Sequence, residues 1–356
     1  MPIRRRQPEG IEYVGGGMAV GILGTGSYLP AEVVTNADLA MRVPGADPAW
    51  VERKTMIRAR RFAAPDQAAS DLAAIAAQAA LRDAGVHPAD IDFLIVATST
   101  GDMPQPPTAT LVQRAIGAER AACFDMNVVC AGFVFALSVA ESLIAVNAEA
   151  RVLVVATDIY SRILDFTDRR TAVLFGDGAG AVVVGAVPHG YGILDRELVS
   201  RGDAAGLIHV QAGGSRMPAS PFTVTNGAHY FRMDGRAVAE FVHSGVPPAL
   251  AMLLKRAGTV PEQVDHFIPH QANGVMLRDL VIEARLENAT THLTLDRYGN
   301  VGSASVPVTL DEAARTGSLS EGDLVLLAGF GGGMSVGACL LRWGPTGVGP
   351  ATPRPV

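Results

Sequence analysis

The feature that most constrains the fold of this chain is an internal repeat. Residues 84–95 (AGVHPADIDFLI) align without gaps on residues 257–268 (AGTVPEQVDHFI). Each copy follows an alanine- and leucine-rich stretch with helical periodicity and ends in a short apolar run typical of a buried strand. A second pair of similar segments, 175–180 and 330–333, follows in the same order, each before an apolar strand. We infer that the chain contains two copies of one α/β unit.

Two such units predict an α/β fold in which each half covers its own sheet and both share a central helical layer. We divide the chain into an extension at 1–17, halves at 18–190 and 191–344, and a tail at 345–356. The extension and the tail are rich in glycine, arginine or proline and are expected to be flexible. Apolar runs predict strands at 19–24, 93–98, 122–128, 151–157, 181–187, 266–269, 324–329 and 336–342. Helices are predicted at 48–54, 70–84, 108–117, 131–147, 236–257, 273–287 and 308–316.

Composition narrows the class of protein. The 356 residues carry a formal net charge of −6, which disfavours a nucleic-acid partner, and the simplest interpretation of the basic stretches 4–6 and 58–61 is solvent-exposed surface. Three cysteines without paired spacing indicate neither a metal site nor a disulfide scaffold, and fit a reducing compartment. No signal peptide is evident, and segments such as 133–146 are interrupted by Ser and Glu, which disfavours a membrane span. We therefore expect a cytoplasmic protein with no membrane or nucleic-acid partner.

Cys130 is the candidate nucleophile. It lies between the predicted strand 122–128 and a long apolar helix, so the thiol is expected at a helix N-terminus. The helix dipole and free N–H groups there favour the thiolate, which is the attacking species. The small residues Ala131 and Gly132 leave room for a substrate above the sulfur. A buried structural cysteine is the alternative interpretation of this position, and for Cys123 and Cys339 it is the preferred one.

Two further segments carry polar groups suited to a second step. His270 comes directly after the strand 266–269, and we expect it at the position in the second half analogous to that of Cys130. Asn300 lies in a loop of small residues, where a simple turn-forming role is the alternative. The glycines at 331–333 let backbone N–H groups approach an oxyanion closely. This loop lacks the spacing of a dinucleotide-binding site.

Together these motifs resemble the β-ketoacyl-acyl-carrier-protein synthase III family, condensing enzymes of the thiolase fold. The resemblance runs from about residue 19 to residue 343. The motifs that carry it are 24–30 (GTGSYLP), 130–133 (CAGF), 175–180 (FGDGAG), 269–273 (PHQAN), 299–300 (GN) with 303–305 (SAS), and 329–333 (GFGGG).

The resemblance implies a five-layered α-β-α-β-α sandwich of two duplicated halves and a homodimer with its interface near the active site. It also implies a catalytic triad of Cys130, His270 and Asn300, with an oxyanion hole formed by the backbone N–H groups of Cys130 and Gly332. The expected partners are an acyl-CoA and an acyl carrier protein, and no cofactor is permanently bound, since coenzyme A arrives as a thioester substrate.

Further residues are assigned to substrate binding by position in the family pattern. Those assigned to the coenzyme A and pantetheine site are Trp50, Lys54, Arg169, Gly235, Arg236 and Asn273. Those assigned to the acyl pocket are Gln105, Pro106 and Phe330. Lys54 replaces a usual Arg, Arg236 replaces a small amide, Val275 replaces an Arg that docks the carrier protein, and Gln105 replaces a bulky Phe.

These four departures predict a specialised enzyme that primes polyketide-type synthesis, with an acyl group larger or more polar than acetyl. Cys130 would be acylated by an acyl thioester, and decarboxylative Claisen condensation with a malonyl carrier protein would follow. The main alternative is an acyltransferase that moves the acyl group to an alcohol, an amine or a carrier protein without losing CO₂. A second alternative is an inactive subunit of a heterodimer, which the presence of both Cys130 and His270 disfavours.

Overall fold

The computed structural model describes residues 18–346, so the predicted flexible extension and all but two residues of the predicted tail lie outside the described chain. The strands are β1 Met18–Tyr28, β2 Glu32–Thr35, β3 Ala59–Phe62, β4 Phe93–Ala97, β5 Ala122–Met126, β6 Val152–Ile159, β7 Asp177–Pro188, β8 Gly192–Ser200, β9 Ile208–Val210, β10 Phe231–Met233, β11 His266–Pro269, β12 Thr290–Thr291, β13 Leu324–Gly331 and β14 Ser335–Arg342. The helices are α1 Asn36–Arg42, α2 Pro48–Thr55, α3 Ala69–Ala84, α4 Thr108–Ile116, α5 Gly132–Val146, α6 Arg169–Ala172, α7 Pro221–Thr225, α8 Gly235–Arg256, α9 Gly274–Glu283, α10 Leu295–Tyr298 and α11 Ser305–Arg315.

Two five-stranded sheets repeat one topology. The first has the order β5-β4-β6-β7-β1 and the second the order β12-β11-β13-β14-β8. In each sheet the first three strands are parallel and the last two pairings are antiparallel. Every strand of the first sheet precedes residue 190 and every strand of the second follows residue 191. The duplication predicted from the sequence is therefore confirmed.

The two copies of the repeat take the same local structure for the same reason. After α3 and after α8, a glycine with φ near +65° ends the helix, namely Gly85 (φ 65°) and Gly258 (φ 66°). This left-handed conformation suits glycine because it has no Cβ to collide with the following carbonyl. A short 3₁₀ turn that begins at Pro88 or Pro261 then leads into β4 or β11.

Apolar side chains bind the layers together. Helix α5 and helix α11 pack between the sheets in a single cluster that includes Leu137, Val154, Leu310 and Leu327. Helices α3 and α4 cover the outer face of the first sheet. Helices α8 and α9 cover the outer face of the second sheet. The order of layers is α-β-α-β-α, as the sequence predicted.

Several details differ from the predictions. Helix α9 ends four residues before the predicted boundary at 287. Strand β8 was not predicted because three consecutive charged residues, Asp195 to Glu197, interrupt its apolar ones. Arg60 lies in the basic stretch 58–61 but is fully buried, so the interpretation of that stretch as surface is wrong for this residue. Its guanidinium donates to the carbonyls of Val34 and Val173 and to the side chain of Asn36.

Two helical segments have the length and hydropathy of a membrane span. Residues 129–146 have a mean hydropathy of 2.2 and meet both criteria, because the helical segment begins before the stretch 133–146 that the sequence analysis had placed below a span. Residues 235–256 also qualify. Helix α5, which makes up most of the first segment, lies between the two sheets, and an apolar surface on all sides is what such a central position requires.

Candidate active site

The predicted nucleophile, Cys130, lies in a tight turn between strand and helix. Val129 to Ala131 form a 3₁₀ turn after β5, and α5 begins at Gly132. Cys130 is 5% exposed. The glycine loop at the end of β13 approaches it closely, because a Cβ added at Gly331 would lie 3.0 Å from the Cys130 sulfur. Only a residue without a side chain fits there, which explains one of the glycines noted in the sequence.

The electrostatic setting of the thiol differs from the sequence-based expectation. Burial, followed by the neighbouring Asp158 carboxylate, raises the pKa of the Cys130 thiol. The backbone N–H of Cys130 and the hydroxyl of Tyr160 act in the opposite direction and are weaker. The helix N-terminus was expected to favour the thiolate, but removal of the sulfur from water dominates. Burial therefore disfavours the thiolate form of Cys130 in the folded chain.

His270 follows β11 and its ring is held against Phe330. The ring centroids are 5.5 Å apart and the planes meet at 84°. The backbone N–H of His270 donates to the carbonyl of Ala328 over 2.6 Å, which fixes the segment to β13. Because β11 corresponds to β4 and not to β5, His270 is not the topological counterpart of Cys130, and that part of the sequence-based expectation is wrong.

The chemistry of His270 is that of a neutral imidazole. Burial lowers its pKa to about 3, so protonation is strongly disfavoured at neutral pH. Nδ1 is buried and has no hydrogen-bond partner among the described residues. A proton on Nδ1 would be a buried donor without an acceptor, which favours the tautomer with the proton on Nε2. The side chain can thus donate a hydrogen bond into the cavity that it lines.

Backbone hydrogen bonds to the first half of the chain hold Asn300 in position. Its backbone N–H donates to the carbonyl of Leu174 over 2.8 Å, and its own carbonyl accepts from Gly176 over 2.9 Å. Its side-chain Oδ1 accepts the N–H of Gly302 over 2.9 Å. Since the oxygen is occupied, the amide nitrogen is the end left to donate. The motif at 175–180 therefore positions the asparagine, a link that the linear sequence does not reveal.

One cavity of about 290 Å³ collects most of the predicted site residues. Those that line it are Trp50, Lys54, Cys130, Gly235, His270, Asn273, Asn300 and Phe330. It therefore unites side chains from both halves around a single sulfur. The lining includes residues from each predicted group, namely the nucleophile, the hydrogen-bond donors and the substrate-binding residues.

Other predicted residues lie elsewhere. The Arg169 guanidinium lies over the Trp50 ring, 5.0 Å from its centroid, just outside the lining. Arg236 is exposed at the start of α8, and Gln105 and Pro106 are exposed and do not line the cavity of this chain. Their assignment to substrate binding remains a prediction.

Gly332 is also outside the lining, although its neighbour Gly331 is part of it. A Cβ added at Gly332 would meet Val129, the residue before Cys130, at 3.1 Å. The loop thus lies directly on the turn that carries Cys130. The oxyanion-hole role of Gly332 stays a prediction from the resemblance.

Sequence reasoning missed several lining residues. The aromatic rings of Tyr160, Phe175 and Phe231 pack together and line the cavity, and Arg170 lines it as well. Tyr160 directly follows the fully buried strand β6, whose last residues include the acidic Asp158. An acidic residue in an otherwise apolar run was the available signal, because a fully buried carboxylate is rare.

Fold and site together bring a buried cysteine, a neutral imidazole and a side-chain amide into one cavity, an arrangement suited to acyl transfer. Comparisons with known proteins make the class specific. The profile described as 3-oxoacyl-[acyl-carrier-protein] synthase III matches residues 124–215, and that of its C-terminal part matches residues 254–343.

Similar proteins cover nearly the whole chain. Acetoacetyl-CoA synthase NphT7 from Streptomyces sp. (strain CL190) is 49% identical over 90% of this chain and 98% of its own length. β-Ketoacyl-[acyl-carrier-protein] synthase III from Caldanaerobacter subterraneus subsp. tengcongensis is 44% identical over 92% and 98%. The crystal structure of the priming β-ketosynthase of the R1128 polyketide pathway has a TM-score of 0.84 at 34% identity, covering 92% of this chain and 96% of that one. This chain belongs to the 3-oxoacyl-[acyl-carrier-protein] synthase III family and is a transferase of the acyltransferase type with the thiolase fold.

Proposed function

We propose that this enzyme transfers an acyl group from acyl-CoA to Cys130 and then condenses it with a malonyl thioester, with loss of CO₂. The observation that carries the proposal is that Cys130, His270 and Asn300 line one cavity, with the amide nitrogen of Asn300 left free to donate. The family membership supports the same reaction. Both donors are neutral, which suits stabilisation of an enolate better than a carboxylate would.

The first step is acylation. The sulfur of Cys130 attacks the thioester carbonyl, and backbone N–H groups of Cys130 and Gly332 would stabilise the resulting oxyanion. Removing one donor of this kind typically lowers the rate by roughly 10²–10³-fold. The close approach of the glycine loop to Cys130 supports this arrangement. Coenzyme A leaves, and the acyl-enzyme remains.

The second step uses the other two members of the triad. The N–H groups of His270 and Asn300 would hold the thioester carbonyl of the malonyl group. As CO₂ departs, negative charge develops on that oxygen, and both donors stabilise it. The enolate carbon then attacks the acyl carbon and releases Cys130. The low pKa of His270 supports this role, because the imidazole acts as a neutral donor and not as a cation.

The stack of Arg169 on Trp50 supports the proposed coenzyme A site. A guanidinium over an indole ring is a favourable cation–π pair. The adenine would either insert between the two groups or stack on the other face of the indole. Lys54, exposed at the same cavity, supplies a positive charge suited to a phosphate.

The acceptor has two candidates. A malonyl carrier protein is the acceptor that the family name implies. The 49% identical relative named acetoacetyl-CoA synthase favours malonyl-CoA instead, because its name places the product on CoA. The half-buried Val275, in place of an Arg expected to dock a carrier protein, favours the same alternative.

The proposed biological role is the priming of a polyketide-type pathway, and the R1128 priming ketosynthase supports it. A primer larger or more polar than acetyl was predicted from Gln105. This side chain is exposed in the single chain, so it would have to act across a dimer interface. We also propose a homodimer in the cytoplasm. Strand β5 supports the dimer, since it is one of the two edges of the first sheet and carries the half-buried Phe124 and Met126.

The simple acyltransferase remains the rival function, and Val275 and Gln105 are the two substitutions that favour it. A panel of acyl-CoA primers, each with malonyl carrier protein or malonyl-CoA, separates the possibilities. We expect stoichiometric CO₂ and a 3-oxoacyl thioester, detected by mass spectrometry. Acyl-Cys130 that transfers its acyl group to an alcohol or amine without CO₂ release would reject condensation. If acetyl-CoA is clearly the best primer, the prediction of a larger or more polar primer is rejected.

A further inference from the structure

The geometry points to a proton relay that links the thiol of Cys130 through the hydroxyls of Tyr160 and Ser99 to the carboxylate of Asp158. This inference deepens the function proposed above and rests on it. The relay takes up the thiol proton when Cys130 attacks the acyl group. It returns that proton when condensation releases the sulfur.

The accepting end of the relay is a fully buried carboxylate. Asp158 is 0% exposed at the end of β6. Its Oδ1 accepts from the N–H and the hydroxyl of Ser99 and from the hydroxyl of Thr100, each over 2.9 Å, and also from Thr98 over 3.4 Å. Its Oδ2 accepts from the N–H and the hydroxyl of Ser303 over 2.8 and 2.7 Å. These partners are all neutral, and burial raises the pKa of Asp158, so the group is disposed to accept a proton.

Before the proton transfer, only one orientation of the Ser99 and Tyr160 hydroxyl protons agrees with the hydrogen bonds to Asp158. A carboxylate can only accept, so the single proton of the Ser99 hydroxyl points to Asp158. In the 3.0 Å contact between the hydroxyls of Ser99 and Tyr160, Tyr160 is then the donor. Tyr160 and Cys130 are both buried and line the same cavity, and donation from the Tyr160 hydroxyl favours the thiolate of Cys130. While the proton of Tyr160 points to Ser99, the Tyr160 oxygen has a lone pair for the S–H of Cys130, and after the transfer the same hydroxyl donates to the thiolate.

The central tyrosine is held rigidly. Tyr160 is 1% exposed and stacks on Phe175, with ring centroids 4.5 Å apart and planes at 20°. Its edge meets the ring of Phe231 at a centroid distance of 5.6 Å. A Cβ added at Gly302 would lie 2.4 Å from both the Tyr160 ring and the Asp158 carboxylate. The loop that carries Asn300 thus closes over two members of the relay.

Charge explains why an internal route is favoured. If Cys130 lost its proton to solvent, a second anion would be buried beside Asp158, which is strongly disfavoured. If the proton moves along the relay, the net charge of the group stays at one negative unit. The hydroxyl of Ser99 then turns from Asp158 towards Tyr160, and that of Tyr160 turns towards the sulfur.

The steps balance over one catalytic cycle. In acylation, the bond from Cys130 sulfur to the acyl carbon forms, the bond to the CoA sulfur breaks, and the Cys130 proton resides on Asp158. CoA leaves as a thiolate and takes a proton from solvent. In condensation, CO₂ leaves the malonyl group, the new carbon–carbon bond forms, and the bond to Cys130 breaks. The released thiolate regains the proton from Asp158.

The test is the pH profile of Cys130 alkylation by iodoacetamide, followed on the Cys130 peptide by mass spectrometry. An internal transfer exchanges no proton with solvent, so wild type should show a rate that is nearly constant from about pH 6 to 8. Tyr160→Phe and Ser99→Ala each cut the relay. Near neutral pH, both variants should react at least roughly tenfold more slowly than wild type. Their alkylation rate should rise about tenfold per pH unit. Lys54, Arg170 and His270 are the other titratable side chains that line the cavity, and they are unchanged in every variant.

Tyr191→Phe is the matched control, because it removes a tyrosine hydroxyl that bonds Glu321 away from the cavity. It should keep the wild-type profile. A wild-type rate that itself rises tenfold per pH unit would overturn the relay, as would a Ser99→Ala profile equal to wild type. Ser99 is small, so this variant serves if Tyr160→Phe fails to fold. Iodoacetamide needs no acyl substrate, so failure of the proposed condensation would not alter this readout.

Discussion

The backbone N–H of Gly302 donates to the side-chain oxygen of Asn300 over 2.9 Å, and this bond decides which end of the amide is free. The bond holds the oxygen on the side of Gly302, so the nitrogen, which is the only donor of the amide, lies at the opposite end. The geometry requires the tight turn at Gly302, where φ is +56°. The selectivity of the site for a developing anion thus depends on a backbone conformation that glycine adopts without strain.

Asn300→Asp tests that selectivity. The aspartate still accepts from Gly302, but it cannot donate, and its charge repels an enolate. We expect acylation of Cys130 within about twofold of wild type, while CO₂ release falls roughly 10²–10³-fold. Both half-reactions can be followed separately by mass spectrometry and by CO₂ trapping. Asn288→Asp, the same change at an exposed position, should affect neither. An equal loss in both half-reactions would show that Asn300 acts on the structure of the whole site.

Gly331→Ala tests the close approach of the glycine loop. The added Cβ would lie 2.8 Å from the Cβ of Cys130 and 3.0 Å from its sulfur, so one of the two segments must move. A displacement of about 1 Å at a reacting centre can cost roughly 10²-fold in rate, and we expect acylation to fall by that order. Gly202→Ala, which meets no atom within 4 Å, is the control. Acylation at the wild-type rate in Gly331→Ala would contradict the described packing.

His270 should make stability depend on pH. Its pKa is about 3 in the folded chain and near 6.5 when exposed, so the unfolded state binds more protons between these values. Its contribution to stability is therefore complete above pH 6.5 and is lost as the pH falls. The slope is about 1.4 kcal/mol per pH unit. Denaturant unfolding at several pH values should show His270→Asn losing less stability on acidification than wild type. Parallel curves would mean that the imidazole is not buried as described.

The Trp50–Arg169 pair should affect the affinity for acyl-CoA and not the rate of the chemical steps. A cation–π pair of about 0.5–2 kcal/mol corresponds to roughly a 2- to 30-fold rise in KM for acyl-CoA in Trp50→Ala. A short acyl thioester without the nucleotide serves as the control substrate, and its kcat/KM should be unchanged. A comparable loss with that short substrate would assign Trp50 to packing, where it already contacts the cluster around Val51 and Phe62.

The sequence predicted the site unevenly, for reasons that individual residues illustrate. Cys130, His270 and Asn300 each follow a strand end or lie in a glycine-flanked loop, and such positions can be read from local pattern. Tyr160 and Ser99 were missed because their importance depends on a hydroxyl–hydroxyl contact of 3.0 Å across two strand ends. Gln105 was assigned by position in a family pattern, and the single chain leaves it exposed.

The sequence by itself determined the duplication, the layered α/β fold and the three residues of the proposed triad. These depend on local periodicity, turn glycines and repeated segments, which the linear chain displays directly. Only the tertiary structure decided the direction in which the pKa of Cys130 shifts. The pKa of Cys130 reflects the exclusion of water and the proximity of Asp158, and both arise only when the distant strands pack together. The helix N-terminus visible in the sequence favours a thiolate, but burial outweighs it, because desolvation of a charge is the larger effect.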